Sequence, residues 1–195
     1  PQLFSDKQQL FNSNEYTLDL NWKVFLESFL EGYHIKPAHK ETFYPFGFDN
    51  LNLVETVGRN SRITFPFQRI KKLQDIEPAK REVEGLLTYV YHLFPNVTIA
   101  VLSHHTTMLI MEPVSVNKTQ IITYSLTNNA LEGEEAVAKA RHDATFVSDT
   151  GQTEDIALAK SIQASLHSGA NEYFTFGRYE KLIGHFHRNM QTLLD

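Results

Sequence analysis

Asn21-Trp22-Lys23-Val24-Phe25-Leu26-Glu27-Ser28-Phe29-Leu30-Glu31-Gly32-Tyr33-His34-Ile35-Lys36-Pro37-Ala38-His39 is the stretch from which the rest of the chain can be read. Trp22, Phe25, Leu26, Phe29, Leu30 and Tyr33 recur at intervals of three and four, the period of an amphipathic helix. Asn21 is a residue type that caps such a helix. Pro37 is expected to end it, because the residue before a proline is pushed out of helical geometry. His34 then lies at the helix end, with His39 five residues on. Along an unbroken helix five residues rotate by about 140° and would point the two imidazoles apart. A break at Pro37 lets the chain turn back and aim both rings at one point. Glu31, three residues before His34, shares its helix face. From there its carboxylate can accept the ring N–H that does not face a metal.

Outward from this segment the period changes. Upstream, Tyr16–Leu20 alternates like a strand, and downstream residues 40–50 form a loop carrying Phe43, Tyr44, Phe46 and Phe48. Strand-like runs follow at Leu51–Val57, Arg62–Phe67, Leu86–Phe94, Val97–Ser103, Thr106–Met111 and Thr119–Leu126, separated by turn signals such as Pro95-Asn96. Residues 69–84 are charged and read as an exposed short helix or loop. The connections are too short for parallel crossovers, so the strands should pair as antiparallel hairpins. From Leu131 the pattern turns helical, with Thr153 expected to cap a second helix over about 154–168. A last helix is expected over Arg178–Leu194, its stripe formed by Leu182, Ile183, Phe186, Met190, Leu193 and Leu194. The fold class is α+β, a single domain over 1–195.

Composition narrows the function. The formal charge is −5, from 18 Lys and Arg against 23 Asp and Glu, which argues against a nucleic-acid partner. The most apolar run, Val97–Leu102, is far below the ~18–20 residues that span a bilayer, so no membrane partner is expected. No secretory leader is visible, and a cytoplasmic location is the expectation. With 195 residues and no Cys, the chain forms no disulfide and holds no cysteine-ligated iron–sulfur cluster. Its nine His make histidine chemistry the place to look. Two imidazoles and a carboxylate with open positions suit non-haem iron(II). They also suit zinc, but no general base stands beside His34 as in a His-Glu-x-x-His hydrolase.

Asn21-Trp22-Lys23, Glu27-Ser28, Glu31, Tyr33-His34 and His39 resemble the catalytic-domain signature of the Rieske non-haem iron oxygenases, the large subunits of ring-hydroxylating oxygenases and related mono-oxygenases. The likeness continues through Tyr91-His92-Leu93-Phe94-Pro95-Asn96, Glu154-Asp155-Ile156, Gln163, Leu166 and Ser168, and Phe186-His187. Ser28 departs from the Asn that many members carry. The resemblance implies a helix-grip fold, with a curved antiparallel sheet around a long C-terminal helix. It implies iron(II) held by His34, His39 and Asp155, with Glu154 the rival third ligand, and Glu31 as the electron-transfer bridge. Phe43, Phe46, Phe48 and His92 are candidate substrate contacts. The remaining histidines read as structural, with His104-His105 exposed at a turn.

The resemblance further implies that iron activates O2 to hydroxylate, dihydroxylate or oxidatively demethylate a small organic, aromatic substrate. Its electrons would come from a [2Fe-2S] Rieske cluster. A chain without Cys needs that cluster from elsewhere, from the same or a neighbouring subunit, supplied by a reductase or ferredoxin. We expect 1–195 to be the catalytic part of a longer, trimeric large subunit, inactive alone. The competing reading is a non-enzymatic helix-grip module binding an apolar small molecule, since fold alone does not decide function.

Overall fold

The computed structural model describes residues 6–83, 85–128 and 133–194; Pro1 and the expected helical onset at Leu131 lie outside them. Seven strands form one antiparallel sheet: β1 (Leu10–Leu18), β2 (Leu53–Val57), β3 (Asn60–Pro66), β4 (Leu87–Leu93), β5 (Val97–Val101), β6 (His105–Ser115) and β7 (Lys118–Thr127). Their order is β1-β7-β6-β5-β4-β3-β2. Every link except β1–β7 is a hairpin between consecutive strands. At β2–β3 the turn takes two residues, where Val57 faces Asn60 across Gly58-Arg59 and Gly58 takes φ +58, a left-handed conformation that glycine adopts without strain.

Alternation assigns the two faces of the sheet. The register Asn12↔Ser125, Thr107↔Ser125, Ala100↔Thr107 and Val90↔Ala100 lays one row of inward residues across five strands. Farther along the same face, Tyr16↔Ile121 and Met111↔Ile121 form an apolar row. That row belongs to the core, with Leu20, Leu26, Leu30 and Phe186. Phe186 is fully buried and meets Trp22 and His92 edge-on, at centroid distances of 5.7 and 5.6 Å.

The crossover from β1 to β2 carries α1 (Trp22–Glu27) and a one-turn helix, α2 (Ile35–Ala38). Asn21 caps α1 as expected, its side-chain oxygen accepting from the Lys23 amide at 3.0 Å. The helix ends earlier than expected. A short 3-10 turn, Ser28–Leu30, follows α1, and Glu31 is extended at φ −146, ψ 178. Pro37 lies inside α2 and ends nothing, since a proline in a first turn forfeits no helical hydrogen bond. Tyr33 does not join the apolar stripe: it is exposed and donates to Glu180 at 3.1 Å.

The helical half also differs in detail. α3 (Glu134–Thr150) and α4 (Ile156–His167) are one continuous run joined by a π turn, Gly151–Asp155, in which the Ile156 amide donates five residues back to Gly151. Thr153 is therefore no cap; its hydroxyl bonds back to the Asp149 carbonyl at 2.7 Å. α3 packs on β6 and β7, and α4 on α1. The last helix is shorter than expected: a 3-10 turn, Arg178–Glu180, leads into α5 (Lys181–Gln191). The sheet and these helices make the expected α+β helix-grip architecture, in which the long helical element is the α3–α4 run.

Candidate metal centre

The break at Glu31-Gly32 builds the site. It frees the chain to turn before α2, whose two ends are His34 and His39. The imidazoles meet edge to face with centroids 5.2 Å apart. The π turn brings the third group, because its extra residue sets the phase at which Asp155 leaves the helix. One ligand atom from each of His34, His39 and Asp155 lies within 4.8 Å of the other two. Asp155 Oδ1 is 2.9 Å from His39 Nε2 and 3.6 Å from His34 Nε2. His39 is fully buried and the other two nearly so.

The other ring nitrogens are spoken for. His34 Nδ1 bonds Glu31 Oε1, while Glu31 Oε2 accepts the backbone amides of Tyr33 and His34 at 2.6 and 3.2 Å. Glu31 thus supports His34 as expected, though from an extended residue rather than a shared helix face. His39 Nδ1 bonds Glu154 Oε2 at 2.5 Å, and the Thr42 hydroxyl donates to that oxygen at 2.7 Å. With both Nδ1 atoms donating to carboxylates, both Nε2 atoms present lone pairs toward Asp155. This is the tautomer that metal-binding histidines adopt.

The donor set fits a divalent metal. Asp155 Oδ1 is buried and without a hydrogen-bonding partner despite its proximity to the rings, and an orphaned buried oxygen is costly unless something positive meets it. Burial by itself disfavours a charged His39 ring, yet Asp155 and Glu154 outweigh it and raise its pKa above the ordinary value. Burial likewise opposes the Glu154 charge, and the bonds from His39 and Thr42 overcome it and lower its pKa. The pocket attracts positive charge.

The triad sits in the wall of a cavity of about 570 Å³ between the inner sheet face and α3–α4, lined also by Glu31, Phe43, Phe46 and Phe48. Phe29 and Phe65 complete its aromatic side. Gly32 is needed there, because a Cβ would overlap the Phe65 ring. His92 is elsewhere. It is buried in the core against Phe94 and Phe186, with Nε2–H donating to the Pro95 carbonyl at 3.0 Å, and is not part of the cavity wall. Burial lowers its pKa, the Pro95 bond opposing only in part.

Sequence reasoning placed His105 wrongly. His104 is exposed, but His105 is 1% exposed and lines the cavity, its Nδ1 2.8 Å from Asp143 Oδ2. The signal was thin, since β6 begins one residue earlier than expected and the partner carboxylate lies 38 residues away. Glu154, weighed as the rival third ligand, meets His39 at Nδ1, whereas Asp155 meets the Nε2 side.

A family model for the catalytic domain of the ring-hydroxylating alpha subunit matches residues 6–195. Chloroplastic choline monooxygenase of Spinacia oleracea is 25% identical over 98% of this chain and 42% of its own length. The Arabidopsis thaliana enzyme is 29% identical over 89% of this chain and 39% of its own. The chain therefore spans about two fifths of the curated relatives it matches. Among solved structures, a quaternary ammonium Rieske monooxygenase, described for carnitine oxidation and inter-subunit electron transfer, superposes over 95% of this chain and 50% of its own, with TM-score 0.71 at 16% identity.

Proposed function

Because the chain belongs to the ring-hydroxylating alpha-subunit family, as a match across residues 6–195 shows, we propose that it is the iron(II)-binding half of an oxygenase and that His34, His39 and Asp155 hold the metal. The observation that carries this reading is the convergence of two Nε2 atoms on one buried Asp155 oxygen. When bound, iron(II) supplies a redox centre whose remaining positions stay open to O2. The chain's own residues do the rest. Glu31 and Glu154 fix the tautomer and aim of the two rings. Glu31 also carries the proposed electron path from a [2Fe-2S] Rieske cluster on a partner domain, of the same or a neighbouring subunit, fed by a reductase or ferredoxin. The aromatic wall excludes water from the triad and seats the substrate.

For the substrate we propose a quaternary ammonium compound undergoing monooxygenation, in place of the aromatic ring first expected. Aromatic faces hold methylated ammonium groups by cation–π attraction, and Asp149, one of the residues lining the cavity, supplies a countercharge. Relatives named for choline and quaternary ammonium support the same choice.

The test is anaerobic iron(II) titration of the chain, read by metal analysis and by the spectrum of the ferrous nitric oxide adduct. One iron per chain is expected, lost in the double variant His34→Ala, His39→Ala. An iron-free wild type, or full retention in the double variant, overturns the reading. For the substrate, choline should bind more tightly than its uncharged carbon isostere 3,3-dimethyl-1-butanol; equal binding refutes the ammonium assignment.

A further inference from the structure

The cavity has a second polar end. His105 lines it while 1% exposed, and Asp143 takes its Nδ1–H, which leaves Nε2 without a partner among the described residues. Burial works against the Asp143 charge, but the bond from His105 prevails and keeps its pKa low. The pair is therefore an imidazole backed by a firm carboxylate. Arg141 lines the same region. Its guanidinium lies 5.4 Å from the centroid of Phe11, whose ring meets His105 edge-on at 6.5 Å. Arg141 makes no ion pair among the described residues. Behind His105, the next inward rows supply Thr107, Ser125 and Asn12, so this end of the floor is polar where the iron end is aromatic.

The helix places this end far from the triad: Asp143 and Asp155 are 12 residues apart on the α3–α4 run, roughly 18 Å at ~1.5 Å per residue. Asp149, the other acidic group on this helix wall, sits between the two ends, about 9 Å along the helix from Asp143 by the same helical rise.

Resting on the proposed function, we infer that His105 and Arg141 form an anion-holding subsite at the far end of the cavity, so that the substrate is elongated, with a carboxylate-class group there and its oxidised carbon among the aromatic rings. An arriving anion favours the doubly protonated His105 ring, whose Nε2–H then donates to it, while Asp143 balances the ring charge through Nδ1. Arg141 supplies a permanent positive charge with several donors.

The experiment measures binding by calorimetry to the iron-free 195-residue chain, with decanoate, 1-decanol and decyltrimethylammonium as probes of one chain length. Decanoate should bind more tightly than 1-decanol. His105→Ala and Arg141→Ala should each weaken it by roughly 10- to 100-fold, the worth of a charged hydrogen bond, and leave 1-decanol unchanged. His105→Gln keeps a polar group of similar reach but no positive charge, and should behave as His105→Ala. Failure of the iron reading appears in metal analysis and failure of this one in decanoate binding to the iron-free chain, so the two are told apart by their readouts. Equal affinity for the three probes, or decanoate binding indifferent to both His105→Ala and Arg141→Ala in variants with wild-type circular dichroism, overturns the subsite.

Discussion

Glu154 and Asp155 are adjacent carboxylates beside one imidazole, and the proposed metal site gives them different tasks that a pair of variants can separate. Glu154 meets His39 at Nδ1, on the side away from the other ligands, and is itself held by Thr42. Asp155 meets the Nε2 side, where the rings converge. Replacing Glu154 by Ala leaves all three ligand atoms in place but frees the His39 ring to turn or change tautomer. Losses of this kind cost about 10- to 100-fold in metal affinity, equivalent to roughly 1.4–2.7 kcal/mol. At saturating iron the metal-induced stabilisation should shrink by the same amount. For a chain of this length, about 2–4 °C per kcal/mol, the iron-dependent rise in Tm should fall by roughly 3–11 °C. Asp155→Ala instead removes a ligand and should abolish the iron-dependent rise. The assay is anaerobic thermal melting with and without iron(II), paired with equilibrium dialysis. If Glu154→Ala abolishes iron binding while Asp155→Ala merely weakens it, the assignment of ligand and support is reversed and the reasoning fails.

Gly32→Ala should drive the Phe65 ring out of its place in the cavity wall; the expected outcome is a folded chain with weakened choline binding and near-normal iron binding, checked by calorimetry beside metal analysis. His92 gives a pH signature. Its pKa is lowered in the folded chain, so on acidification the unfolded chain takes up the proton first, near pH 6.5. Stability should therefore be undiminished by this group above that pH, and fall as pH drops from there toward the folded value. Urea midpoints at pH 7.5 and 5.5 should differ less in His92→Gln than in the wild type.

The strands were legible because each has one face on the core or cavity and one outside, and alternation records that division residue by residue. His34 and His39 were legible as a pair, since both belong to one short segment. The cause of their convergence was not. Pro37 looked like the break, but a proline near a helix start is harmless, and the turn is made at Glu31-Gly32, where the Phe65 ring from β3 occupies the space a side chain would need. Likewise Thr153 suggests a helix start locally, whereas packing of α3 on the sheet and of α4 on α1 holds the two helices in one run. His105 shows the limit most clearly. Nothing within ten residues of it announces the carboxylate partner, because Asp143 arrives from another layer of the fold.

The π turn has an evolutionary side. A π turn takes one more residue than the α-helical turn it replaces but sweeps nearly the same angle, so removing one residue from Gly151–Asp155 would restore an uninterrupted α-helix and leave the helix after it in nearly the same phase. Only the side chains of the turn itself, Asp155 among them, would be redistributed, while the sheet, α3 and most of the cavity stayed as they are. A carrier and a catalyst built on this scaffold can thus be separated by a single insertion or deletion. Comparing residue counts across that one turn would tell apart descendants that kept the third ligand from those that kept only the container.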